Sequence, residues 1–524
     1  MDLAELAAKV QAAGVVGAGG GGFPTHVKLN NRCDTVLVNG AECEPLLQVD
    51  QQLLEREAPV LVDTLASIVE STGAGQGILA LKAKYKAARV ALEGALTGRD
   101  HSLCAGRHSA VGEGYSPAEG SHFASKEGHS LPADNHAASA EGHCTSGEGR
   151  SPAGEGYLVP KGSRSSAGTG YLTTGESCSR VGRGRLAVCP LEDFYPAGDE
   201  QVLVYEVLGR VVPQGGIPLH VGVIVLNVET LLNIGKALAG QSVTHKYVSV
   251  VGAVANPLTV CVPVGTPVAE LLAMAGGSRA GKYRVLDGGP MMGREVRNLN
   301  QGISKTTKGL LVLPANHPLW RHKEIPTGIA LKRAMSVCCQ CFACTDLCPR
   351  YLLGHTIEPH RVMRSLVHNV STDARGVTGA QYCSECGVCD NYACPMDISP
   401  RLINQAVKRE LAQQGFRPVV GGEGRPRASR SERKVPVKRL ISRLGLDNYH
   451  RPAPLMDAPG EPTQVILELK QHAGAPCYPV VQPGAKVEMG QVVAEVPEGQ
   501  LGSRLHAGIT GTVLRVSPQI VIAR

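Results

Sequence analysis

The 524-residue sequence predicts a multidomain protein that combines α/β and α+β modules, because three kinds of pattern follow one another along the chain. The N-terminal part alternates strand-like and helix-like stretches, as an α/β domain does. Two cysteine runs between Cys338 and Pro395 are flanked by helix-like stretches and predict a small helical domain. From Val465 to Ile522, short β-rich runs separated by glycine turns predict a terminal β module. A chain of this length exceeds a single core, so three or four domains are expected.

Composition and charge narrow the class of protein. The net charge is +7, and basic residues crowd between Arg425 and Arg443. Aromatic residues make up only 4% of the chain and no groove-reading motif is present, so a nucleic-acid partner is not expected. No apolar run approaches the ~18 residues of a membrane span, and Met1–Glu5 lacks the features of a secretion signal. The sequence therefore predicts a cytoplasmic protein without an integral membrane segment, whose cysteines are free to bind metal.

Apolar periodicity predicts the elements of the N-terminal domain. Apolar residues at helical spacing indicate helices, and continuous apolar runs indicate buried strands. The predicted order is a helix at 2–13, a strand at 35–38, a helix at 58–69, a strand at 77–81, a helix at 82–96 and a strand at 221–225.

Two polar segments border these elements. The first is a dense glycine run from Gly17 to Lys28, GAGGGGFPTHVK. Glycines let backbone N–H groups approach a phosphate closely and Lys28 adds a positive charge, although the glycines alone are equally typical of a flexible turn. The second is NGAECEP, from Asn39 to Pro45, directly after the strand at 35–38. Since α/β folds bind ligands at the carboxyl ends of strands, a ligand site is expected here.

The cysteine runs carry the most specific signal. Their spacing is CxxCxxCxxxCP followed by CxxCxxCxxxxCP, the ligand pattern of a protein with two [4Fe–4S] clusters. Three thiolates of one run bind one cluster, and the fourth cysteine, before proline, typically reaches the other cluster. One cluster is therefore assigned Cys338, Cys341, Cys344 and Cys394, and the other Cys383, Cys386, Cys389 and Cys348.

Paired zinc sites are the alternative interpretation of these runs, since CxxC pairs also bind zinc. Three evenly spaced cysteines followed by Cys-Pro, present twice, favour iron–sulfur clusters instead. Cys339 breaks the spacing and is not assigned as a ligand. The second run has four residues rather than three before Cys394, a difference that a loop can accommodate.

Composition changes abruptly after Leu96. Gly, Ser, His, Glu and Ala dominate, and no apolar period is present. Such a segment cannot bury enough apolar surface to offset its ordering entropy, so residues 98–188 are predicted to form a disordered insertion within the N-terminal domain. The irregular spacing of Cys104, Cys144 and Cys178 argues against a metal site there.

The middle of the chain predicts a further β module and the helices of the cysteine domain. Residues 247–254 and 258–263 have the pattern of a hairpin, and a short helix follows at 268–275. Helices at 352–370 and 400–414 are expected to flank the cysteine runs, so the cluster domain should be helical.

The end of the chain predicts a linker and a small β domain. Residues 419–443 are rich in Gly, Pro and Arg, which is typical of a linker with a solvated charged face. Two later segments, 480–495 and 506–513, resemble a lipoyl-type barrel-sandwich hybrid. The expected hairpin tip, Val496–Gln500, lacks the lysine that a carrier domain needs, so a structural or docking role is expected.

Four segments carry a resemblance to a family of flavoproteins. GAGGGGFPTHVK and NGAECEP resemble the FMN-binding segments of the flavoprotein subunit of respiratory complex I, and more closely those of the RnfC component of the Rnf electron-transport complex. Asp193–Gln201 resembles the Tyr-x-x-Gly-acid-acid element of these proteins, and Leu226–Thr230 resembles their Asn-Val-Glu-Thr element. With the cysteine runs included, the sequence is most similar to the cobalamin reductases of bacterial propanediol utilisation, over nearly all of the chain outside 98–188.

The resemblance implies an FMN site and its residues. Leu226 replaces a second Asn of the complex I relatives, and Leu29–Asn31 replaces their aromatic-rich residues, so the complex I manner of binding NADH is not carried over. The implied residues are Gly19, Gly20, Gly21, Gly22 and Lys28 at the phosphate, with Gly17 and Phe23 in the same loop, Asn39, Glu42 and Glu44 at the ribityl chain and ring, Tyr195, Gly198, Asp199 and Glu200 closing the pocket, and Asn227 at the phosphate side.

The resemblance also implies a domain order. The β-grasp domain is interpreted as a rigid spacer between the flavin and the clusters, with cobalamin binding as the alternative. The implied domains are a Rossmann-like domain for FMN and NADH at 1–240, a soluble-ligand-binding β-grasp domain at 241–315, a helical ferredoxin domain with two [4Fe–4S] clusters at 316–418, a basic linker at 419–450 and a barrel-sandwich hybrid at 451–524.

The implied function is electron transfer by a flavin and iron–sulfur oxidoreductase. NADH would reduce FMN, the clusters would carry single electrons, and cob(III)- or cob(II)alamin would be the acceptor, in support of coenzyme B12 recycling. No side chain is assigned as catalytic, because the cofactors carry the chemistry. The implied partners are NADH, cobalamin presented by a corrinoid adenosyltransferase, and shell proteins of a bacterial microcompartment in the cytoplasm. A peripheral Rnf-type subunit and a non-catalytic metal-binding scaffold are the alternatives.

Overall fold

The computed structural model describes residues 1–98, 185–367, 374–422, 424–457 and 460–524, all of which belong to one compact unit. The predicted disordered insertion therefore lies outside the described residues, apart from its ends. At its carboxyl end the chain already forms a strand from Leu186, slightly before the boundary that composition predicts. None of the helices in the described ranges is both long and apolar enough to span a membrane.

A parallel sheet forms the centre of the N-terminal domain. The domain contains α1 (Leu3–Ala12), α2 (Thr25–Leu29), β1 (Thr35–Gly40), α3 (Val49–Arg56), α4 (Ala58–Thr72), β2 (Gln76–Lys82), α5 (Lys86–Thr97), β3 (Leu186–Leu191), β4 (Phe194–Tyr195), α6 (Glu200–Leu208), β5 (Val223–Asn227) and α7 (Val228–Leu238). Four strands pair in the order β3-β2-β1-β5, all parallel. The predicted order of helices and strands is confirmed.

Both faces of this sheet are covered, as expected for parallel strands. Side chains alternate along β1, so Val36 and Val38 pack into the core that α1, α4, α5 and α7 share. Leu37 points to the opposite face and packs with residues of α6 such as Leu203. The two faces leave the carboxyl edge of the sheet as the place where polar side chains can collect.

The second module, which corresponds to the implied β-grasp domain and is called the β-grasp module below, is a mixed β-sheet with one helix. It contains β6 (His245–Gly252), β7 (Leu258–Pro263), α8 (Val268–Met274), β8 (Tyr283–Asp287), β9 (Arg294–Val296) and β10 (Gly309–Pro314). The predicted hairpin is confirmed, because β6 and β7 pair antiparallel, and β10 then pairs parallel to β6.

The cysteine domain is helical, as predicted. It contains α9 (Trp320–Glu324), α10 (Thr327–Val337), α11 (Ala343–Asp346), α12 (Pro349–Leu352), α13 (Pro359–Val367), α14 (Ala374–Thr378) and α15 (Pro400–Gln413). The single helix predicted from residue 352 is wrong at its start, since α12 ends at Leu352 and α13 begins at Pro359. Gly354 adopts a left-handed φ of +92°, and Pro359 supplies a new helix start.

The segment predicted to be a basic linker is packed against the rest of the protein. It contains β11 (Val435–Pro436) and α16 (Val437–Arg443), and β12 (Leu455–Met456) follows. β11 pairs antiparallel with β4, and Leu440 and Ile441 of α16 are buried. Arg430 is only 9% exposed and pairs with Glu206 at 2.5 Å, so its charge is neutralised rather than solvated.

The C-terminal domain consists of two small sheets. It contains β13 (Gln464–Glu468), β14 (Tyr478–Pro479), β15 (Lys486–Val487), β16 (Val492–Glu495), β17 (Leu505–His506), β18 (Gly511–Arg515) and β19 (Gln519–Ala523). The strand orders are β13-β19-β18-β15 and β14-β16-β17, and one apolar core fills the space between them.

A buried lysine joins three modules. Lys305, in the loop before β10, donates from Nζ to the carbonyl oxygens of Gly14 and Arg504, each at 2.7 Å. These acceptors belong to the N-terminal domain and the C-terminal domain. Burial lowers the pKa of Lys305 to about 7.

The folding free energy should depend on pH through Lys305. The unfolded chain binds a proton on this lysine up to its ordinary pKa of about 10.4, whereas the folded chain releases it near pH 7, so stability rises with pH between these values. Lys305→Met should remove a slope of up to about 1.4 kcal/mol per pH unit from urea unfolding curves measured between pH 7 and 10. Lys9→Met, at a surface pair with Glu5, is the control and should keep the slope. An unchanged slope in Lys305→Met would contradict the prediction.

Candidate cofactor sites

Two neighbouring strands end at the first candidate site. β1 and β5 are paired so that Asn39 lies opposite Asn227. The Asn39 side chain donates to the Gly198 carbonyl oxygen at 2.8 Å and accepts from the Ala41 N–H at 3.2 Å. Asn227 caps α7 by accepting from the Glu229 N–H at 3.0 Å. Both asparagines thus lie at the carboxyl edge of the sheet, where neighbouring parallel strands end.

The β-grasp module holds the start of the glycine loop. The Ala18 N–H donates to Thr230 Oγ1 at 2.9 Å, and Lys246 Nζ donates to the Ala18 carbonyl oxygen at 3.3 Å. Lys246 on β6 is fully buried and forms an ion pair with Glu229 of α7. The backbone that enters the loop is therefore anchored from two modules.

The middle of the glycine loop lies against open space. A Cβ atom built on Gly19 would lie 3.0 Å from Asn227 Nδ2, whereas Cβ atoms on Gly20 and Gly21 would meet nothing within 4 Å. Both of these glycines are exposed. Unobstructed backbone of this kind suits close approach of a phosphate, so the loop fits the group that the sequence predicts.

The ends of the loop are tightly packed. Gly22 has a left-handed φ of +65°, and a Cβ atom there would lie 2.9 Å from Thr306 Cγ2. The Gly17 N–H donates to the carbonyl oxygen of Phe23 at 3.0 Å, while the Phe23 residue is 36% exposed. Gly17 and Gly22 thus fix the conformation of the loop, and Gly20 and Gly21 form its exposed, unobstructed part.

The predicted loop lysine and one pocket acid form an ion pair. Lys28 Nζ donates to Glu200 Oε1 at 2.9 Å and to the Val225 carbonyl oxygen at 3.3 Å. Asp199 caps the first turn of α6 and accepts from Arg350 of α12 at 2.9 Å. Lys28 is therefore held near the end of β5 by a carboxylate.

A buried charged network lies behind the asparagines. Glu42 Oε2 accepts from the Asp50 N–H at 2.8 Å, and Glu42 Oε1 lies 3.3 Å from Lys308 Nζ. Lys308 also forms an ion pair with Asp50, whose Oδ2 accepts from Asn227 Nδ2 at 3.0 Å. Burial, partly offset by Lys308, raises the pKa of Glu42 to about 7. Although burial alone would lower it, the two carboxylates raise the pKa of Lys308.

Glu44 is hydrogen-bonded to the β-grasp module. Its carboxylate accepts from the N–H groups of Met291 and Met292, at 2.9 and 2.7 Å, in the turn between β8 and β9. Burial raises the pKa of Glu44. Glu44 therefore links the segment that follows β1 to the β-grasp module.

Two contacts join the flavin pocket to the cysteine domain. The buried Tyr195 side chain donates from Oη to the Cys386 carbonyl oxygen at 2.6 Å. The second is the Asp199–Arg350 ion pair. Tyr195 thus lies between the candidate flavin pocket and the second cysteine run.

The eight predicted cysteines line two adjacent hollows. Five cysteines line each hollow, and four of the five are those that the spacing assigns to one [4Fe–4S] cluster. Cys339 is exposed at the first hollow, and Cys344 borders both. Besides Cys339, the first hollow is lined by Cys338, Cys341, Cys344 and Cys394, and besides Cys344, the second is lined by Cys348, Cys383, Cys386 and Cys389.

Sequence reasoning missed four charged residues of these sites. Asp50, in α3, follows Glu42 in the chain, but helical periodicity gave no reason to place it beside Asn227. Lys246 and Lys308 belong to the β-grasp module and reach the first site only through tertiary packing. Arg350 directly follows a cysteine run, which was its one available signal.

Comparison with protein families matches successive parts of the chain. The Nuo51 FMN-binding domain matches residues 10–236, the SLBB domain 247–295, the 4Fe-4S dicluster domain 337–399 and the RnfC barrel sandwich hybrid domain 450–524. These matches support the predicted fold and favour iron–sulfur clusters over the zinc alternative. The fold and its sites define a flavin and iron–sulfur oxidoreductase.

Similar curated proteins extend the match to nearly the whole chain. "Cobalamin reductase PduS" of Salmonella typhimurium strain LT2 is 38% identical over 519 residues, which are 99% of this chain and 96% of that protein. The protein of the same name from Citrobacter freundii is 38% identical over 522 residues, with the same coverage. A component of the Na⁺-translocating ferredoxin:NAD⁺ oxidoreductase complex of Acetobacterium woodii is 26% identical over 358 residues, 67% of this chain and 59% of that component. The chain belongs to the PduS cobalamin reductase family.

Proposed function

We propose that this oxidoreductase passes electrons from NADH through FMN and two [4Fe–4S] clusters to cob(III)- or cob(II)alamin. Bound FMN would supply the conversion of a two-electron hydride transfer into single-electron steps, and the clusters would supply one-electron carriers. The observation that carries the proposal is the hydrogen bond between Tyr195 and the backbone of Cys386, since it joins the flavin pocket directly to a cluster ligand loop.

The chain's own residues would bind and orient the cofactors. Gly20 and Gly21 would offer backbone N–H groups to the FMN phosphate, with Lys28 as the nearby cation. Asn39 and Asn227 would orient the flavin from the strand ends, and Tyr195 would hold the pocket against the cluster domain. The cysteine thiolates would hold the clusters and exclude other ligands from the irons.

The names of the relatives support cobalamin as the acceptor. The PduS proteins match over 96% of their length, whereas the Acetobacterium protein matches over 59%, which favours cobalamin reduction over an Rnf-type role. We further propose that the protein acts in propanediol utilisation, inside a cytoplasmic microcompartment with shell proteins around it. A corrinoid adenosyltransferase is the proposed consumer of the reduced cobalamin.

Anaerobic NADH oxidation tests this function. Protein reconstituted with FMN and iron–sulfur clusters should oxidise NADH steadily only when cob(III)alamin is present, and the visible spectrum should show the cobalamin becoming reduced. An Rnf-type subunit would instead need a low-potential ferredoxin as partner. Failure to reduce cobalamin while ferredoxin exchanges electrons with NADH would contradict the proposal.

Gly21→Ala should weaken FMN binding without destabilising the flavin-free chain. The added methyl group meets no protein atom but occupies the space left for the phosphate, so loss of one charge-assisted hydrogen bond should raise the Kd roughly tenfold. Quenching of flavin fluorescence measures the affinity. Gly94→Ala, at an equally open glycine of α5, is the matched control and should leave the Kd unchanged. Equal affinity in both variants would argue against the phosphate lying at Gly21.

A further inference from the structure

One oxygen of a buried carboxylate in the charged network has no partner. Asp50 is only 2% exposed. Its Oδ2 accepts from Asn227 and is paired with Lys308, but its Oδ1 is buried without a hydrogen bond among the described residues. A buried acceptor left unpaired costs stability, so such an atom is usually explained by a ligand, an ion or a water molecule.

The unpaired oxygen lies close to the glycine loop. The Asp50 carboxylate accepts a hydrogen bond from the Asn227 side chain at 3.0 Å, and a Cβ atom built on Gly19 would lie 3.0 Å from the same Nδ2 atom. As the ion-pair partner of Lys308, Asp50 accepts hydrogen bonds and donates none. Its partner must therefore carry a donor, which excludes an ionised phosphate and suits a hydroxyl group.

We propose that Asp50 Oδ1 accepts a hydrogen bond from a hydroxyl group of the ribityl chain of FMN. This inference rests on the proposed flavin site, in which the phosphate lies over Gly20 and Gly21 and the ribityl chain follows it. Asp50 is then a flavin-binding residue, and Lys308 is a positioning residue that holds the Asp50 carboxylate from the β-grasp module. The β-grasp module thereby contributes to flavin binding in addition to its expected role as a spacer between the flavin and the clusters.

Binding of three flavins to two variants tests the role of Asp50. FMN and riboflavin carry the ribityl chain and lumiflavin lacks it. Asp50→Ala should weaken FMN and riboflavin binding by about tenfold or more, because a hydrogen bond to a charged group is lost, and leave lumiflavin binding within about twofold of the wild type. Glu42 remains in this variant to pair with Lys308. Asp287→Ala, which removes a carboxylate of the β-grasp module bonded to Thr307, is the matched control and should alter none of the three affinities.

The outcomes separate the inference from the flavin site itself. If the wild-type chain binds no flavin, the site and the inference both fall. If the wild type binds FMN and Asp50→Ala binds it equally well, or loses all three flavins alike, only the inference falls. A second measurement needs no variant: among FMN analogues that each lack one ribityl hydroxyl group, one should bind the wild-type chain about tenfold more weakly. Equal binding of all the analogues would overturn the proposal.

Discussion

Cys341→Ala should remove one cluster and stop electron delivery to cobalamin, while NADH still reduces the flavin. Cys341 lines only the first hollow, with Cys338, Cys344 and Cys394, so the second set of four thiols stays complete. Iron content should fall from about eight to about four atoms per chain, because each cluster holds four irons. The flavin pocket contacts the other cysteine loop, at Cys386, and should therefore stay intact.

Cys339→Ala is the matched control for this experiment. Cys339 is exposed, lies at the same hollow and breaks the ligand spacing, so its loss should alter neither iron content nor cobalamin reduction. Iron analysis, electron paramagnetic resonance of the reduced protein and stopped-flow bleaching of the flavin by NADH give three independent readings. Wild-type cobalamin reduction by Cys341→Ala would show that the first cluster lies off the electron path.

Lys308→Met should destabilise the flavin-free chain by about 3–5 kcal/mol near pH 8, because removing one partner of a buried ion pair leaves the other charge uncompensated. Here two carboxylates, Glu42 and Asp50, share the lysine. Each is only 3% exposed. Urea unfolding of wild type and variant measures the difference.

The loss in Lys308→Met should shrink as the pH falls. Without the lysine, burial is no longer offset at Glu42, so the pKa of this carboxyl group in the folded chain rises further above its unfolded value. The folded variant then binds protons that the unfolded chain does not, so its stability rises as the pH is lowered from 8 toward 5. Lys84→Met, at a half-exposed pair with Asp193, is the control and should cost at most about 1 kcal/mol at every pH. A pH-independent loss would contradict this account.

The apolar pattern of the sequence predicted most of the helices and strands, because the pattern within a segment reflects which of its faces are buried. The run Thr35–Val38 is apolar throughout after its first residue, since both faces of a central parallel strand are covered, and it became β1. The prediction failed where the local composition indicated one structure and tertiary packing favoured another. Residues 419–443 carry the composition of a linker, yet Leu440 and Ile441 find an apolar surface to cover and the nearby Arg430 finds a carboxylate.

Some residues of the cofactor sites can likewise be predicted from local sequence rules, whereas others are brought together only by tertiary packing. The cysteine partition followed from spacing alone, because three ligands of a cluster come from one short loop and their separation in sequence limits their separation in space. The strand-end asparagines followed from sheet geometry, since parallel strands bring their carboxyl ends to one edge. The positions of these residues follow from ligand spacing and strand geometry, which are local rules, so the sequence by itself determined them.

Only the tertiary structure decided which distant charges meet. Lys308 reaches Asp50 across 258 residues, and Tyr195 reaches Cys386 across 191. No periodicity or spacing relates such pairs, because their contacts arise from the way whole modules pack. Burial also changes how these groups ionise: in water Glu42 is an ordinary acid, whereas in the interior burial raises its pKa to about 7 although Lys308 partly offsets the effect. The residues that would bind the cofactors can thus be recognised from the local sequence, while the charges that surround them depend on the folded protein.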